Sequence, residues 1–478
     1  MAEAGAENRG GARQEGHLQP GLKRRHMTMI SLGGIIGAGL FVGTGPILNQ
    51  AGPATVLTYL LTGILLILIM RMLGEMAVAQ PSVGSFSDYG RMALGNWAGF
   101  SIGWLYWYFW AIVVGFEATV AAGIIGGYVP GLPPWLIALV LVLLLTATNL
   151  YSVGSYGEFE FWFASIKVAA IIIFIFLAIL FLIGLFGPSP GFSNLYAKGG
   201  FFPNGPLAMF SGVATVIFAF VGAEIVTIAA AESNEPEEGV ARATNAVIYR
   251  VLLFYVVSVF FVACIVPWNT GFTDAVIKSP FTLAFERIGI PGSGTVMNLV
   301  VLTAVLSVLN SSLYTTSRML FALTRHNDAP GFMTNTTRRG VPIWAILTGT
   351  IFAYVSVAIF YFFPSEVFTW LINASGAIAL FVYLLIAISE LVMRRRLERD
   401  NPEALRIRMW FYPWLTYLSI AGIVAVLVAM FFISSLRPLI IASLISLAVI
   451  LAAYVLRRQF GPPERDPSEV VRESETGS

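Results

Sequence analysis

Between residues 28 and 457 the chain is a succession of apolar runs joined by short polar connections. About 20 apolar residues in helical form cross the hydrocarbon core of a bilayer. Backbone N–H and C=O groups find no water there, so each run must satisfy its own polar backbone, which an α-helix does. A sliding hydropathy reading places spans at 28–49, 54–79, 97–127, 134–152, 159–186, 206–231, 244–267, 293–323, 341–363, 367–393, 410–433 and 437–457. The expected fold is an all-α polytopic membrane protein of about twelve transmembrane helices. The third and eighth spans exceed the bilayer thickness and are expected to tilt. Only 11% of the residues are charged and 57% are hydrophobic, against roughly 25% charged in soluble domains.

Charge sets the expected topology. With the N-terminus in the cytoplasm, about 23 of the 28 Lys and Arg residues fall inside and about four outside, in the sense of the positive-inside bias. The outside group is Lys198, Lys278, Arg287 and Arg437; the inside group includes Arg338, Arg339 and Arg394-Arg395-Arg396. An even number of spans returns the C-terminus to the cytoplasm. The organisation expected is a disordered cytoplasmic tail at 1–22, a transmembrane domain at 23–458 and a second disordered tail at 459–478. Lys23-Arg24-Arg25 before an apolar run has the form of a signal peptide, but that run is long and has many successors, so it is expected to be retained. The stretch 268–292, with Phe281-Thr-Leu-Ala-Phe285-Glu-Arg-Ile, reads as a short interfacial helix on the outside.

The function classes narrow in the same way. A net charge of +2 implies no nucleic-acid partner. A single cysteine, Cys264, excludes an internal disulfide and a cysteine metal site, and no cofactor is implied. His17, His26 and His326 fall in polar stretches, which argues against a histidine relay within the membrane. No serine elbow or metal-ligand cluster suggests an enzyme.

The first span is interrupted. Met29-Ile-Ser-Leu-Gly33-Gly34-Ile-Ile-Gly37-Ala-Gly39-Leu-Phe-Val-Gly43 places glycines where each costs a helix about 1 kcal/mol against alanine. Non-helical backbone at membrane depth is tolerated only where it lines a cavity or is buried in protein. The sixth span, Val216-Ile-Phe218-Ala-Phe220-Val-Gly222-Ala-Glu224-Ile-Val-Thr227, is interrupted as well. Breaks five spans apart point to a transporter of two inverted five-helix repeats with its site between them. Half-helix N-termini attract a carboxylate, and C-terminal carbonyls attract an amine or cation. The pair suits an amino acid zwitterion. Close helix packing is the alternative reading of membrane glycines, and the second break weighs against it.

Ionisable residues within spans are costly and are functional candidates for that reason. Lys167 in span five is the one basic residue well inside the membrane by this reckoning, and it is the candidate for coupling transport to protons. Glu117 in span three is either a substrate or proton ligand or a buried scaffold group. Glu224 is either a substrate ligand or a cap for the freed N–H groups of the second break. Glu75 reads as structural, with Arg71 as partner. Glu158 and Glu160 read as complements of the dipole at the start of span five. Phe218, just before the second break, is placed to close over a substrate. Ser311, Ser312, Thr315, Thr316 and Ser375 could bond a substrate or bond between helices.

The chain also carries a set of motifs along most of its length: Lys23-Arg-Arg-His-Met-Thr-Met, Ile102-Gly-Trp-Leu-Tyr-Trp, Tyr156-Gly-Glu-Phe-Glu-Phe-Trp, Gly222-Ala-Glu-Ile-Val-Thr-Ile-Ala-Ala-Ala-Glu-Ser, Arg242-Ala-Thr-Asn, Tyr314-Thr-Thr-Ser-Arg-Met-Leu, Ser375-Gly-Ala-Ile-Ala-Leu and Arg408-Met-Trp-Phe-Tyr-Pro-Trp-Leu-Thr. In these it resembles the amino acid–polyamine–organocation superfamily, in its bacterial amino acid permease branch, and is most similar to 4-aminobutyrate (GABA) permeases. The resemblance implies a leucine-transporter-like fold, a 5+5 inverted repeat plus two extra helices, and a site between spans one, three, six, eight and ten. It implies carboxylate binding at Gly34, Ile35, Ile36, Gly37, Ala38 and Gly39. Phe218 is similar to the family's gate, and Gly222, Ala223 and Glu224 at the second break, with Glu117, are also expected to bind substrate. Lys167 resembles a lysine that replaces a sodium ion in some relatives, so proton coupling is expected, with Glu117 as a second proton-coupling candidate. The function expected is proton-coupled uptake of GABA or a related amino acid at the cell membrane. An exchanger, a permease for aromatic, proline, small neutral or basic amino acids, and a membrane amino acid sensor remain the alternatives.

Overall fold

The computed structural model describes residues 36–82, 84–151, 153–225, 244–272, 279–337, 340–364 and 377–463, with positions 25, 29, 367, 370, 371 and 375; for 153–156 it describes the backbone alone. The described residues form helices and no strand. They begin with Ala38–Phe41 (α1), Thr44–Ala51 (α2), a tight turn at Gly52–Ala54, and Thr55–Ala79 (α3). Phe86–Leu94 (α4), Asn96–Tyr128 (α5), Pro134–Tyr151 (α6) and Val153–Leu182 (α7) complete the first half. The second half begins with Ala208–Ser211 (α8) and Val213–Phe220 (α9). Thr244–Ile265 (α10) contains a wider turn at Val251–Val257. Pro280–Ile288 (α11), Ser293–Arg325 (α12), Ile343–Phe362 (α13), Ile378–Asp400 (α14), Trp414–Phe432 (α15) and Arg437–Phe460 (α16) follow.

Nine helices among the described residues are long and apolar enough to cross a membrane, with Ala38–Ala79 taken as one. The protein is therefore a helical multi-pass membrane protein. Helix α9 falls short because it stops at Phe220, and residues 226–243 lie outside the described residues. Several helices outrun their apolar windows: α7 starts at Val153, α12 reaches Arg325, and α16 reaches Phe460, beyond the expected tail boundary at 459. Hydropathy locates the part of a helix in the hydrocarbon, whereas backbone hydrogen bonding carries the helix on into the polar zone.

Two nine-residue helices frame the bundle. Helix α4 was not legible as an element of its own; it buries Phe86, Tyr89 and Ala93 and ends where Gly95 takes φ +98°. Helix α11 lies within the amphipathic stretch read from the sequence; the Ser279 hydroxyl accepts from Thr282 N–H at 3.1 Å, and Gly289 ends the helix at φ +84°. Each precedes a 33-residue helix, α5 and α12 respectively. At 1.5 Å per residue these two are about 50 Å long, longer than the roughly 30 Å hydrocarbon core of a bilayer. They pack on each other at the centre. By contrast α15 buries one stripe, Thr416, Ser419, Ile423, Leu427 and Met430, and exposes Leu418, Val424, Val428 and Phe431 to the surroundings. That inside-out apolar surface is a lipid-facing one.

One end of the bundle is tied by buried ions. Arg91 of α4 pairs with Asp328, which also meets Arg457 of α16 at 3.1 Å. His326 Nε2 stands 2.8 Å from Asp88 Oδ1, and Ser82 donates to the same carboxylate. Burial pushes the Asp88 carboxyl up, but His326, Ser82 and Arg91 outweigh it and hold the group below the usual carboxylate range. Its contribution to stability is therefore complete at neutral pH and is lost only as pH falls through that lowered value. Removing one member of a buried pair strands the other. Arg91→Ala is expected to lower stability by about 3 kcal/mol, read as a fall in the melting temperature of the purified protein in detergent. An unchanged melting temperature would show that Arg457 alone satisfies Asp328.

The expected partner of Glu75 is corrected. Its carboxylate takes Arg394 at 2.5 Å and the Met409 N–H, while Arg71 donates to the Arg408 carbonyl. Glu75 and Arg71 are one helical turn apart, but α14 brings a buried guanidinium closer. Arg394 is thus a buried partner in ion pairs with Glu75 and Glu398.

Candidate functional site

The first break lies at Ile36 and Gly37. Gly37 is extended (φ −138°, ψ −154°), and the four-residue α1 begins only at Ala38. The chain turns again at 42–43, where Val42 and Gly43 N–H both donate to the Ala38 carbonyl, at 2.8 and 2.9 Å. The Thr44 hydroxyl, bonded to Tyr59 at 2.8 Å, donates to the Leu40 carbonyl. The second break follows Phe220. Gly222 adopts φ +107°, a conformation that side chains disfavour. The Tyr255 hydroxyl donates to the Ala219 carbonyl at 3.1 Å, serving an acceptor that the ended helix leaves free.

The two breaks touch. A Cβ added to Gly39 would stand 2.6 Å from Ala219 Cα, and one added to Gly37 would stand 2.5 Å from Val308 Cγ2 and 3.1 Å from Glu117 Oε1. Gly39 is required by close approach to the Ala219 backbone, and Gly37 by the Val308 and Glu117 side chains. Beside this crossing is a small cavity bounded by α1, α5, α9 and α12. Gly37, Gly39, Ala219 and Val221 of the two broken segments line it, together with Phe109, Trp110, Val113, Phe218 and Val308. Glu117 is the one charged side chain in that lining. It is buried, and its Oε2 has no hydrogen-bond partner among the described residues. An apolar pocket with a few convergent polar groups is the usual form of a small-molecule site. Phe218 packs its ring on Phe116 at 5.1 Å and Phe109 at 5.7 Å, so it closes one wall.

The other residues singled out in the sequence take different places. Ala38 faces the Glu117 carboxylate with its backbone amide. Gly34 and Ile35 lie outside the described residues. Glu224 is buried away from the cavity lining: its Oε1 accepts from Gly222 N–H at 3.1 Å, and its Oε2 accepts from the Tyr383 hydroxyl at 3.1 Å. Gly222 and Ala223 are absent from the lining, and Val221 is present. Of the two readings left open for Glu224, this arrangement matches the cap. Ser312, Thr315, Thr316 and Ser375 donate to carbonyls of their own helices.

Lys167 is also buried behind the cavity rather than in it. Its Nζ donates to the Ile36 carbonyl at 3.1 Å and to the Ser307 hydroxyl at 2.7 Å. Ser307 in turn donates to Glu160 Oε1 at 2.7 Å, and Nζ stands 3.8 Å from the same oxygen. The sequence reading assigned Glu160 to the helix dipole and passed over Ser307. The spacing carried the signal: seven residues are nearly two turns, so Glu160 and Lys167 share a face of α7.

A family model described as amino acid permease matches residues 26–461. The chain belongs to the amino acid permease family. This permease is 49% identical over 460 residues to a gamma-aminobutyric acid permease of Bacillus subtilis, covering 96% of this chain and 97% of the relative. It is 49% identical over 425 residues to the Escherichia coli protein of the same name, covering 88% and 91%. An aromatic amino acid transport protein of Corynebacterium glutamicum is 43% identical over 416 residues, covering 86% and 89%. The permease is therefore an amino acid transporter, and a small cavity lies beside the crossing of its two breaks.

Proposed function

We propose that this permease takes up GABA, or an amino acid closely related to it, together with protons. The observation that carries the reading is the cavity at the crossing of the two breaks, with Glu117 as its one lining charge. Backbone N–H groups freed at the first break receive the substrate carboxylate. The unpartnered Oε2 of Glu117 offers an acceptor to the substrate amine or a coupling proton. Phe218 closes over the bound molecule. Lys167, held between the Ile36 carbonyl and Ser307, links the charge of α7 to the shape of the first break. The relatives named for gamma-aminobutyric acid support the substrate class.

Twelve spans with both ends in the cytoplasm, arranged as two inverted repeats of five plus two, complete the reading. In its support, a short helix precedes a 33-residue helix in each half, and each half opens with an interrupted span. Rocking of one bundle against the other around the fixed site would give alternating access.

The test is uptake of labelled GABA into proteoliposomes. An imposed inward proton gradient is expected to raise accumulation about tenfold over a gradient-free control. Uptake that requires sodium and ignores protons would overturn the coupling. A second reading, an aromatic amino acid as substrate, is favoured by Phe109, Trp110 and Phe218 in the lining and by the 43% identical relative. Competition by phenylalanine that exceeds competition by beta-alanine would select it. Counterflow from preloaded vesicles separates exchange from symport.

A further inference from the structure

We propose that Glu160, acting through the Ser307 hydroxyl, is the counter-charge and proton acceptor of Lys167. The inference rests on the proton-coupled reading above. Lys167 is two turns along α7 from Glu160, about 10.5 Å by helix rise. Helical Cα–Cβ bonds tilt toward the N-terminus, so the long Lys167 side chain lies back along α7 and brings Nζ within 3.8 Å of the carboxylate. Ser307, from α12, stands between them at 2.7 Å from each. Lys167, Glu160 and Ser307 are fully buried.

The transfer balances. Nζ gives one proton to Ser307 Oγ, and Ser307 passes its own hydroxyl proton to Glu160 Oε1. An ammonium and a carboxylate become a neutral amine and a neutral acid. The pair is uncharged overall before and after, so no lone charge is stranded in a medium where that is costly. The third contact of Nζ, to the Ile36 carbonyl, joins this exchange to the backbone of the first break. Movement of that break on binding or release alters the hold on the amine, and Glu160 is placed to take the proton when the hold weakens. The groups facing the pair are Glu117 of α5 on the cavity side and the hydroxyls of Ser307 and Ser311 on α12. Farther along, Arg25 pairs with Glu158 at 2.6 Å near the start of α7, at the end toward which the proton would leave.

The test uses the full chain in proteoliposomes with labelled GABA. Each variant is measured for gradient-driven accumulation, for gradient-free counterflow and for the pH at half-maximal uptake. Glu160→Gln is expected to lose at least about tenfold more accumulation than counterflow. Its half-maximal pH is expected to move to more acid values by about one unit, because the amine has lost an opposite charge within 4 Å. Glu160→Asp is expected to recover most of the accumulation, and Ser307→Ala to resemble Glu160→Gln in milder form. Wild-type accumulation in Glu160→Gln overturns the proposal. So does an equal loss of accumulation and counterflow with an unmoved pH profile, which is the signature of a merely structural residue. If Glu160→Gln fails to insert, Ser307→Ala decides by the same readings. A wild-type protein that shows counterflow but ignores protons defeats the proton-coupled reading instead, so the two failures are distinct.

Discussion

Gly39→Val is expected to reduce amino acid uptake by roughly 5- to 150-fold while the protein still reaches the membrane. The added Cβ would stand 2.6 Å from Ala219 Cα and 2.9 Å from its Cβ. Neither neighbour is the end of a flexible side chain, so the two broken segments must separate. Overpacking of this kind costs about 1–3 kcal/mol, a factor of roughly 5 to 150 in the population of the competent arrangement. The same separation moves Gly37 and Val221, which line the cavity, so substrate binding suffers together with the fold of the crossing. Gly37→Val is expected to act likewise, through Val308 and Glu117. Gly422→Ala is the control. Gly422 sits within α15, and an added Cβ meets nothing within 4 Å. That change should be neutral or slightly stabilising, as alanine is the better helix former. Uptake by Gly39→Val within a few-fold of the native protein would show that the crossing does not need backbone contact.

Lys167→Gln is expected to abolish accumulation against a gradient and to spare counterflow by comparison. The amide keeps a donor for the Ile36 carbonyl or Ser307 but carries no exchangeable charge. It also leaves Glu160 as a buried carboxylate without its cation. Breaking a buried pair costs about 3–5 kcal/mol, so a lower amount of folded protein is expected too. The double variant Lys167→Gln/Glu160→Gln separates the effects: it should restore the protein level, because neither member of the pair is left as a lone charge, without restoring accumulation. If Lys167→Gln alone accumulates labelled GABA as the native protein does, Lys167 has no part in coupling.

Much of the transmembrane architecture was legible in the order of residues, because a bilayer imposes one strong rule on long apolar runs. The break at Gly33 to Gly43 and the one at Gly222 were legible for a local reason: glycine weakens a helix wherever it sits. Glu117 and Lys167 stood out because a charge in an apolar run has an energetic cost that demands a partner. Partners were another matter. Glu75 was given to Arg71, its neighbour along the helix, and it belongs to Arg394, more than 300 residues away. Glu160 was given to a helix dipole and belongs to Lys167 and Ser307. His326 was read only as part of a polar stretch, and it is buried against Asp88. In each case a contact from another helix, Arg394, Ser307 or Asp88, completed what the local sequence did not show.

The sequence by itself determined that this chain is helical, that it spans a membrane many times, and that two spans cannot run through unbroken. These follow from properties of single residues and single helices: apolarity, glycine's weak helix propensity and the cost of an intramembrane charge. The tertiary structure decided which groups meet. It set Gly39 against Ala219, turned Glu117 into the cavity, drew Glu224 away to Gly222 and Tyr383, and closed Lys167 onto Ser307 and Glu160. Those choices depend on how α1, α5, α7, α9 and α12 rotate and cross. Side-chain packing over the whole bundle sets those angles, and no local stretch of residues encodes them.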